Sequence, residues 1–151
     1  MAFVTFEPWE RGFRASVSME EFLSSKEVPE LVLHNAERVY QHSIREMQAE
    51  VNDIQAHRNA RKVLPARKVW QVGDSVFELV DELAKLSMEI ADLYGHLCRD
   101  LGTKRKWLEK AIILRRYVPS QSLIPESLPW GRIEKGTRRA AERMASGLPA
   151  P

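Results

Sequence analysis

Two long stretches of helical periodicity, separated by Pro65, constrain the fold of this sequence more than any other feature. Pro29 suits the first position of a helix, and from there to about Arg61 apolar residues recur every three or four positions. Residues 66–101 carry two neighbouring apolar rows and therefore a wide apolar face. The periodicity predicts an all-α fold, a helical bundle framed by two long antiparallel helices at 29–61 and 66–101.

The apolar row of the first long helix is narrow. It consists of Tyr40, Ile44, Met47, Val51 and Ile54, in alternating steps of four and three. Such a row is typical of a coiled-coil seam rather than of a deeply buried helix. We therefore expect helix 29–61 to pair with another helix, either in a homodimer or on a larger protein partner.

The remaining segments predict one domain with an arm. Residues 1–16 are too aromatic for a disordered tail, so we expect an N-terminal arm that docks on the core or on a partner. Ser18 and Glu21 have the spacing of a capping box, which predicts a short helix at about 19–26. Residues 17–147 are expected to form a single helical domain, and we find no β-strand pattern and no internal repeat.

A helix-turn-helix-like corner is predicted at Gly102. A glycine just past a helix end tolerates positive φ, and Thr103 is placed to cap the next helix, about 104–118. Cys98 is a small residue four positions before the glycine, where a second helix would cross closely. The apolar residues expected to fix the pair are Leu97, Leu101, Leu108, Ala111 and Ile112.

The charge of the chain is distributed unevenly. Residues 99–143 contain 12 Lys/Arg against 5 Asp/Glu, whereas the rest contains 11 against 16. Cations at the start of helix 104–118 oppose the helix dipole, which suggests that they are used on phosphates. The alternative is a solvated face whose counter-charges lie across the fold. A final helix, about 130–146 and weakened by two glycines, continues the basic region.

These features predict a DNA-binding surface. The residues expected to meet phosphates or base edges are Lys104, Arg105, Lys106 and Lys110. The residues expected to contact the flanking backbone are Arg132, Lys135, Arg138 and Arg139. Two alternatives share this charge pattern: a helical scaffold or adaptor that pairs with an acidic protein, and a protein that binds structured RNA.

Residues for catalysis or metal binding are not recognisable in the sequence. The four histidines and Cys98 form no ligand motif, and there is no Gly-rich phosphate loop and no glycine elbow. We therefore expect a non-enzymatic protein without metal or cofactor. No apolar run approaches the ~20 residues that cross a bilayer, and the start lacks a signal-peptide pattern, so a cytoplasmic location is expected. Trp107 follows the cations and is the tryptophan best placed for base stacking.

Several stretches taken together resemble the N-terminal helical domain of YhcG-type proteins. They are VWQVGDSV (69–76), LYGHLCRDLG (93–102), WLEKAIILRRYVP (107–119) and LPWGRIEKGTRR (128–139). In that family the domain precedes a PD-(D/E)XK nuclease domain. The family usually has Ser-His after the last tryptophan, where this chain has Gly131 and Arg132. No nuclease constellation occurs in the chain, so the resemblance implies a DNA-associated helical module, from a defence system or mobile element, without cleavage.

Overall fold

The computed structural model describes residues 4–9, 12–17, 30–86, 88–90 and 92–149. The α-helices of this part are α1 (Glu30–Asn59), α2 (Ala66–Lys85), α3 (Leu93–Leu101), α4 (Arg105–Tyr117), α5 (Trp130–Ile133) and α6 (Thr137–Ala145). Two single 3-10 turns lie at Gln121–Leu123 and Glu134–Gly136. The β-strands are β1 (Val4–Trp9), β2 (Gly12–Val17) and β3 (Met88–Ile90). The predicted helical bundle with two long antiparallel helices is confirmed.

Helix α2 is the centre of the bundle. It packs against α1 on one side and against α4 on the other, and α4 in turn packs against α6. The wide apolar face predicted for this segment is buried, because Val69, Val72, Val76, Leu79 and Leu83 are each at most 2% exposed. Gly73 lies where α2 and α4 approach most closely, since a Cβ atom there would be 2.2 Å from the carbonyl oxygen of Ala111.

The narrow apolar row of α1 faces the core of its own chain. Tyr40, Met47 and Ile54 are buried, and Ile44 and Val51 pack partly buried against them. The row is narrow because α1 is an outer helix whose opposite side is exposed. The row is therefore not a free apolar seam, and it no longer supports pairing of α1 with another molecule. Pairing of α1 with a second chain or a larger partner stays a prediction.

The predicted helix at 66–101 is interrupted, which the periodicity did not indicate. Helix α2 ends at Lys85, and residues 88–90 form β3 before α3 begins at Leu93. Asp92, just before α3, has a left-handed backbone conformation with φ of 48°. The short segment Met-Glu-Ile at 88–90 fits either a helix or a β-strand, and pairing with a distant β-strand decides between them.

That partner is the N-terminal segment. β1 and β2 form an antiparallel hairpin, with Val4 opposite Val17 and Trp9 opposite Gly12, and β1 pairs in parallel with β3. The expectation that no β-strand forms was wrong for these residues. The predicted capping box and short helix at 19–26 lie outside the described residues, and the division into an arm and a 17–147 domain stays a prediction.

The predicted final helix at 130–146 consists of three pieces. Helix α5 passes into a 3-10 turn at Glu134–Gly136, and α6 begins at Thr137. Gly136 adopts φ of −131° and ψ of 47°, which ends the helical path at the glycine that weakened the prediction. Among the helices of the described residues, none combines the length and apolarity needed to cross a bilayer.

Candidate nucleic-acid interface

The corner between α3 and α4 has the backbone that was predicted for it. Gly102 ends α3 with φ of 67° and ψ of 34°, and the Thr103 amide donates to the Cys98 carbonyl oxygen at 3.1 Å. The apolar residues expected to fix the two helices are buried, namely Leu97, Leu101, Leu108, Ala111 and Ile112. Thr103 does not cap α4, however. Lys104 is in the N-cap position, and no side chain of the described residues makes a capping hydrogen bond to this helix.

Helix α4 is enclosed by other helices for most of its length. It packs against α2, α3 and α6, and from Trp107 to Tyr117 only Arg116 is exposed. A DNA-reading helix of the helix-turn-helix class lies in the major groove with its outer face free. Only the first turn of α4, which begins at Arg105, is open enough for such contact. The geometry therefore favours phosphate contacts from this end over base reading along the helix.

A groove of about 570 Å³ opens beside that first turn, and we call it the cationic groove. It lies between the second half of α1, the corner and the first half of α4. Its basic lining residues are Arg58, Lys104, Lys106 and Lys110, and the acid among its described lining residues is Glu134. None of these four cations is within ion-pair distance of a carboxylate of the described residues. Three of the predicted site residues thus lie around one concavity.

Arg58 is the residue that the sequence analysis missed. Its guanidinium carbon lies 5.8 Å from the centroid of the Trp107 ring, within the range of a cation–π contact. It comes from the acidic N-terminal part of the chain, 49 positions before Trp107. The basic C-terminal end of α1 is the sequence feature that could have indicated Arg58 as a site residue. The favourable interaction of cations with the helix dipole is enough to explain it, however, so it does not point to a site.

Two predicted site residues are engaged within the chain. Arg105 pairs through Nη1 with Asp92 Oδ1 at 3.0 Å and through Nε with Glu109 Oε1 at 3.2 Å. Arg138 pairs with Glu142 at 3.2 Å, and its guanidinium carbon lies 5.1 Å from the centroid of the Tyr117 ring. These two arginines would have to exchange a carboxylate for a phosphate, so they are weaker candidates than the lysines of the groove.

The other three predicted residues are exposed on the segment that flanks the groove. Arg132, Lys135 and Arg139 have no carboxylate of the described residues within ion-pair distance. Backbone hydrogen bonds from Trp130 to Leu64 and from Ala66 to Leu128 (2.8 and 2.9 Å) join this segment to the loop after α1. Arg132 and Lys135 are also close in sequence to Glu134, which lines the groove. The flanking cations therefore extend the basic surface beyond the cationic groove.

The remaining candidate groups have structural surroundings. Trp70 and Trp130 are buried, and the indole of Trp70 donates to the Val118 carbonyl oxygen at 2.8 Å. Cys98 is half-buried, and this burial raises the pKa of its thiol, which disfavours a reactive thiolate. Within the part of the chain that the structure describes, no three His, Cys, Asp or Glu side chains converge as metal ligands would.

Comparison with known proteins gives no match for this chain. The chain matches no family model, no curated protein and no solved structure. The resemblance to the helical domain of YhcG-type proteins therefore stays a prediction, carried by the order and spacing of its four stretches. Any functional conclusion must come from the geometry of the surface itself.

Proposed function

We propose that this chain is a non-enzymatic DNA-binding helical protein that contacts backbone phosphates through the cationic groove. The observation that carries the proposal is the convergence of Arg58, Lys104, Lys106 and Lys110 on one concavity without intramolecular ion pairs among the described residues. Holding four like charges around one groove, with Glu134 as the acid among its described lining residues, costs electrostatic free energy. A bound polyanion offsets that cost, because its phosphates replace the missing carboxylates and release condensed counterions.

The backbone at this site adds to the attraction. The amides of Arg105, Lys106 and Trp107 form the first turn of α4, and the first intrahelical bond of this helix is donated by Leu108 to Lys104. These three amides have no acceptor within the helix and lie at the positive end of its dipole. A phosphate at this end would accept from them as well as from the lysines, as at other helix N-termini.

Contacts of this kind position DNA without reading its sequence. Lysine and arginine contacts to phosphate carry no base information. Because α4 is enclosed beyond its first turn, this helix offers no long recognition surface for base contacts. We therefore expect weak sequence preference and a strong dependence of affinity on salt.

The proposal is tested by fluorescence anisotropy of labelled DNA, as a duplex of about 20 bp and as the corresponding single strand, between about 50 and 200 mM salt. The wild type should bind, and log K should fall linearly with log salt. A triple variant with alanine at Lys104, Lys106 and Lys110 should bind DNA about tenfold more weakly, or weaker still. The magnitude of the salt slope should fall by about 2 to 3, since each lost phosphate contact accounts for about 0.7 to 0.9.

A charge-matched control is available on the opposite part of the bundle. Arg38, Arg45 and Lys85 line a separate groove of about 1540 Å³ between the first half of α1 and the end of α2. Their replacement by alanine removes the same charge and should leave affinity within about twofold, because charges beyond a Debye length are largely screened. Equal losses in both triple variants, or no binding of either form of DNA at low salt, would overturn the proposal.

A further inference from the structure

We infer that the cationic groove accommodates a single unpaired DNA strand in preference to the face of a duplex. This inference rests on the proposed function and specifies its ligand. Three features of the groove support it: its concave shape, its planar aromatic wall and the separation of its charges.

The shape of the site suits a flexible chain. The groove has a volume of about 570 Å³ and is bordered by two helices and a turn. Concavities of this size hold groups of small-ligand dimensions. A duplex presents its phosphates on a stiff convex surface with its bases stacked inside. A single strand, by contrast, can turn its phosphates and bases independently into such a concavity.

The wall of the groove offers planar groups to unstacked bases. Trp107 and Arg58 both line it, with the guanidinium carbon 5.8 Å from the ring centroid. Indole rings and guanidinium planes are the groups on which proteins stack the bases of single strands. The Trp107 Nε1 atom is buried and has no hydrogen-bond partner among the described residues, so the ring does not present its donor to the groove. The indole contribution to the wall is therefore the apolar ring surface that stacks with a base.

The charges of the groove come from different elements of the chain, the lysines from α4 and its start and Glu134 from the 3-10 turn at Glu134–Gly136. Lys106 and Lys110 are four residues apart on α4, which puts them on the same side of the helix, and Lys104 precedes them at its start. Glu134 also lines the groove. Its carboxylate repels phosphates and can accept hydrogen bonds from the N–H groups of unpaired bases, such as the N3–H of thymine. Only a strand with unpaired bases can use the lysines, the planar wall and this acceptor at once.

The inference is tested by anisotropy with a labelled oligothymidylate of about 20 residues and a duplex of equal length at the same salt. The single strand should bind about tenfold more tightly than the duplex. Trp107→Leu should weaken single-strand binding about tenfold, which is within the range for loss of one base–aromatic stack, and leave duplex binding within about twofold. Trp107→Phe keeps a ring and should restore most of the loss, with thermal melting confirming that both variants are folded.

Arg58→Lys tests the planar wall without changing charge. It should weaken single-strand binding severalfold, and by a larger factor than it weakens duplex binding, because lysine keeps the charge but not the planar group. Equal or tighter binding of the duplex by the wild type overturns the inference while the proposed function stands, whereas binding of neither form removes both. Stronger competition by oligouridylate than by oligothymidylate overturns the assignment of the strand to DNA.

Discussion

The two ends of helix α4 carry the same charge but use it differently. Near the C-terminal end, Arg115 Nε donates to Asp74 Oδ1 at 2.7 Å, and the guanidinium carbon lies 5.4 Å from the Trp70 ring and 4.7 Å from the Phe77 ring. At the N-terminal end, Lys104 and Lys106 are exposed and have no carboxylate of the described residues in reach. A cation with a partner on a neighbouring helix stabilises the fold, and one without such a partner remains available to a ligand.

The difference has a cause in the packing of the two ends. The C-terminal half of α4 lies directly on α2, where Gly73 permits close approach to Ala111. Arg115 is thereby held over α2 with its side chain only 23% exposed. The N-terminal end projects past this contact towards α1 and leaves a groove between the helices. We therefore expect changes at one end to affect stability and changes at the other end to affect binding.

The largest effect is expected when the close approach of α2 and α4 is removed. In Gly73→Ala the new Cβ atom would lie 2.2 Å from the Ala111 carbonyl oxygen and 2.9 Å from Arg115 Cβ. A backbone oxygen cannot give way without moving α4, so we expect a loss of about 3 kcal/mol or more in unfolding free energy, at the upper end for overpacking. Urea denaturation measures this loss in unfolding free energy. Gly131→Ala, where nothing lies within 4 Å, is the control and should be neutral or slightly stabilising. A cost at Gly73 no larger than at Gly131 would show that the helices are not in contact there.

A smaller loss of stability is expected from Arg115→Ala. This change removes the ion pair with Asp74 and the contacts with two aromatic rings, and leaves a carboxylate that is itself only 20% exposed. We expect a destabilisation of about 2 kcal/mol, reduced from the value for a fully buried pair by the remaining solvent contact. Arg116→Ala removes an exposed neighbour and should cost less than about 0.5 kcal/mol. DNA affinity should be unchanged in both variants under conditions where they are folded. Weaker binding by folded Arg115→Ala would contradict the assignment of separate roles to the two ends.

The sequence predicted the helical part of this architecture because helical periodicity is a local property. Gly102 marked the end of α3, and the rows on α1 and α2 identified the buried faces correctly. The sheet was missed because its pairing joins residues 4–6 to 88–90, far apart in the chain. The three residues Met-Glu-Ile at 88–90 lie within a helical pattern and give no local sign of such a partner.

The candidate site was predicted only in part, for the same physical reason. The sequence identified the basic residues but not which of them have partners. Arg105 reaches Asp92 across 13 positions, and Arg115 reaches Asp74 across 41. Arg58 lines the groove from α1, and the charge pattern of α1 did not distinguish it from a cation that only interacts with the helix dipole. Charge pairing across a fold depends on tertiary approach, so composition cannot separate structural cations from available ones.

The smallest expected effect concerns Glu50 on α1, which is hydrogen-bonded by Ser75 next to Asp74. Burial raises the pKa of Glu50 to about 7, although its hydrogen bonds from Ser75 act in the opposite direction, and Glu46, Glu78 and Asp74 raise it further. A carboxyl group whose pKa is raised by folding binds protons more readily in the folded than in the unfolded chain. Its effect on stability is therefore neutral below its ordinary value of 4.5 and increasingly unfavourable as pH rises through about 7.

Glu50→Gln removes this titration and keeps a group that can accept from the Ser75 hydroxyl. At about pH 8 we expect the unfolding free energy of the variant to exceed that of the wild type by on the order of 1 kcal/mol, and at about pH 5 we expect no difference. The value at pH 8 is reduced because Glu50 is partly solvated. Urea denaturation at the two pH values measures the difference. Glu37→Gln, at an exposed position on the same helix, should show no pH-dependent gain. An equal gain by Glu50→Gln at both pH values would mean that the carboxylate is ionised throughout.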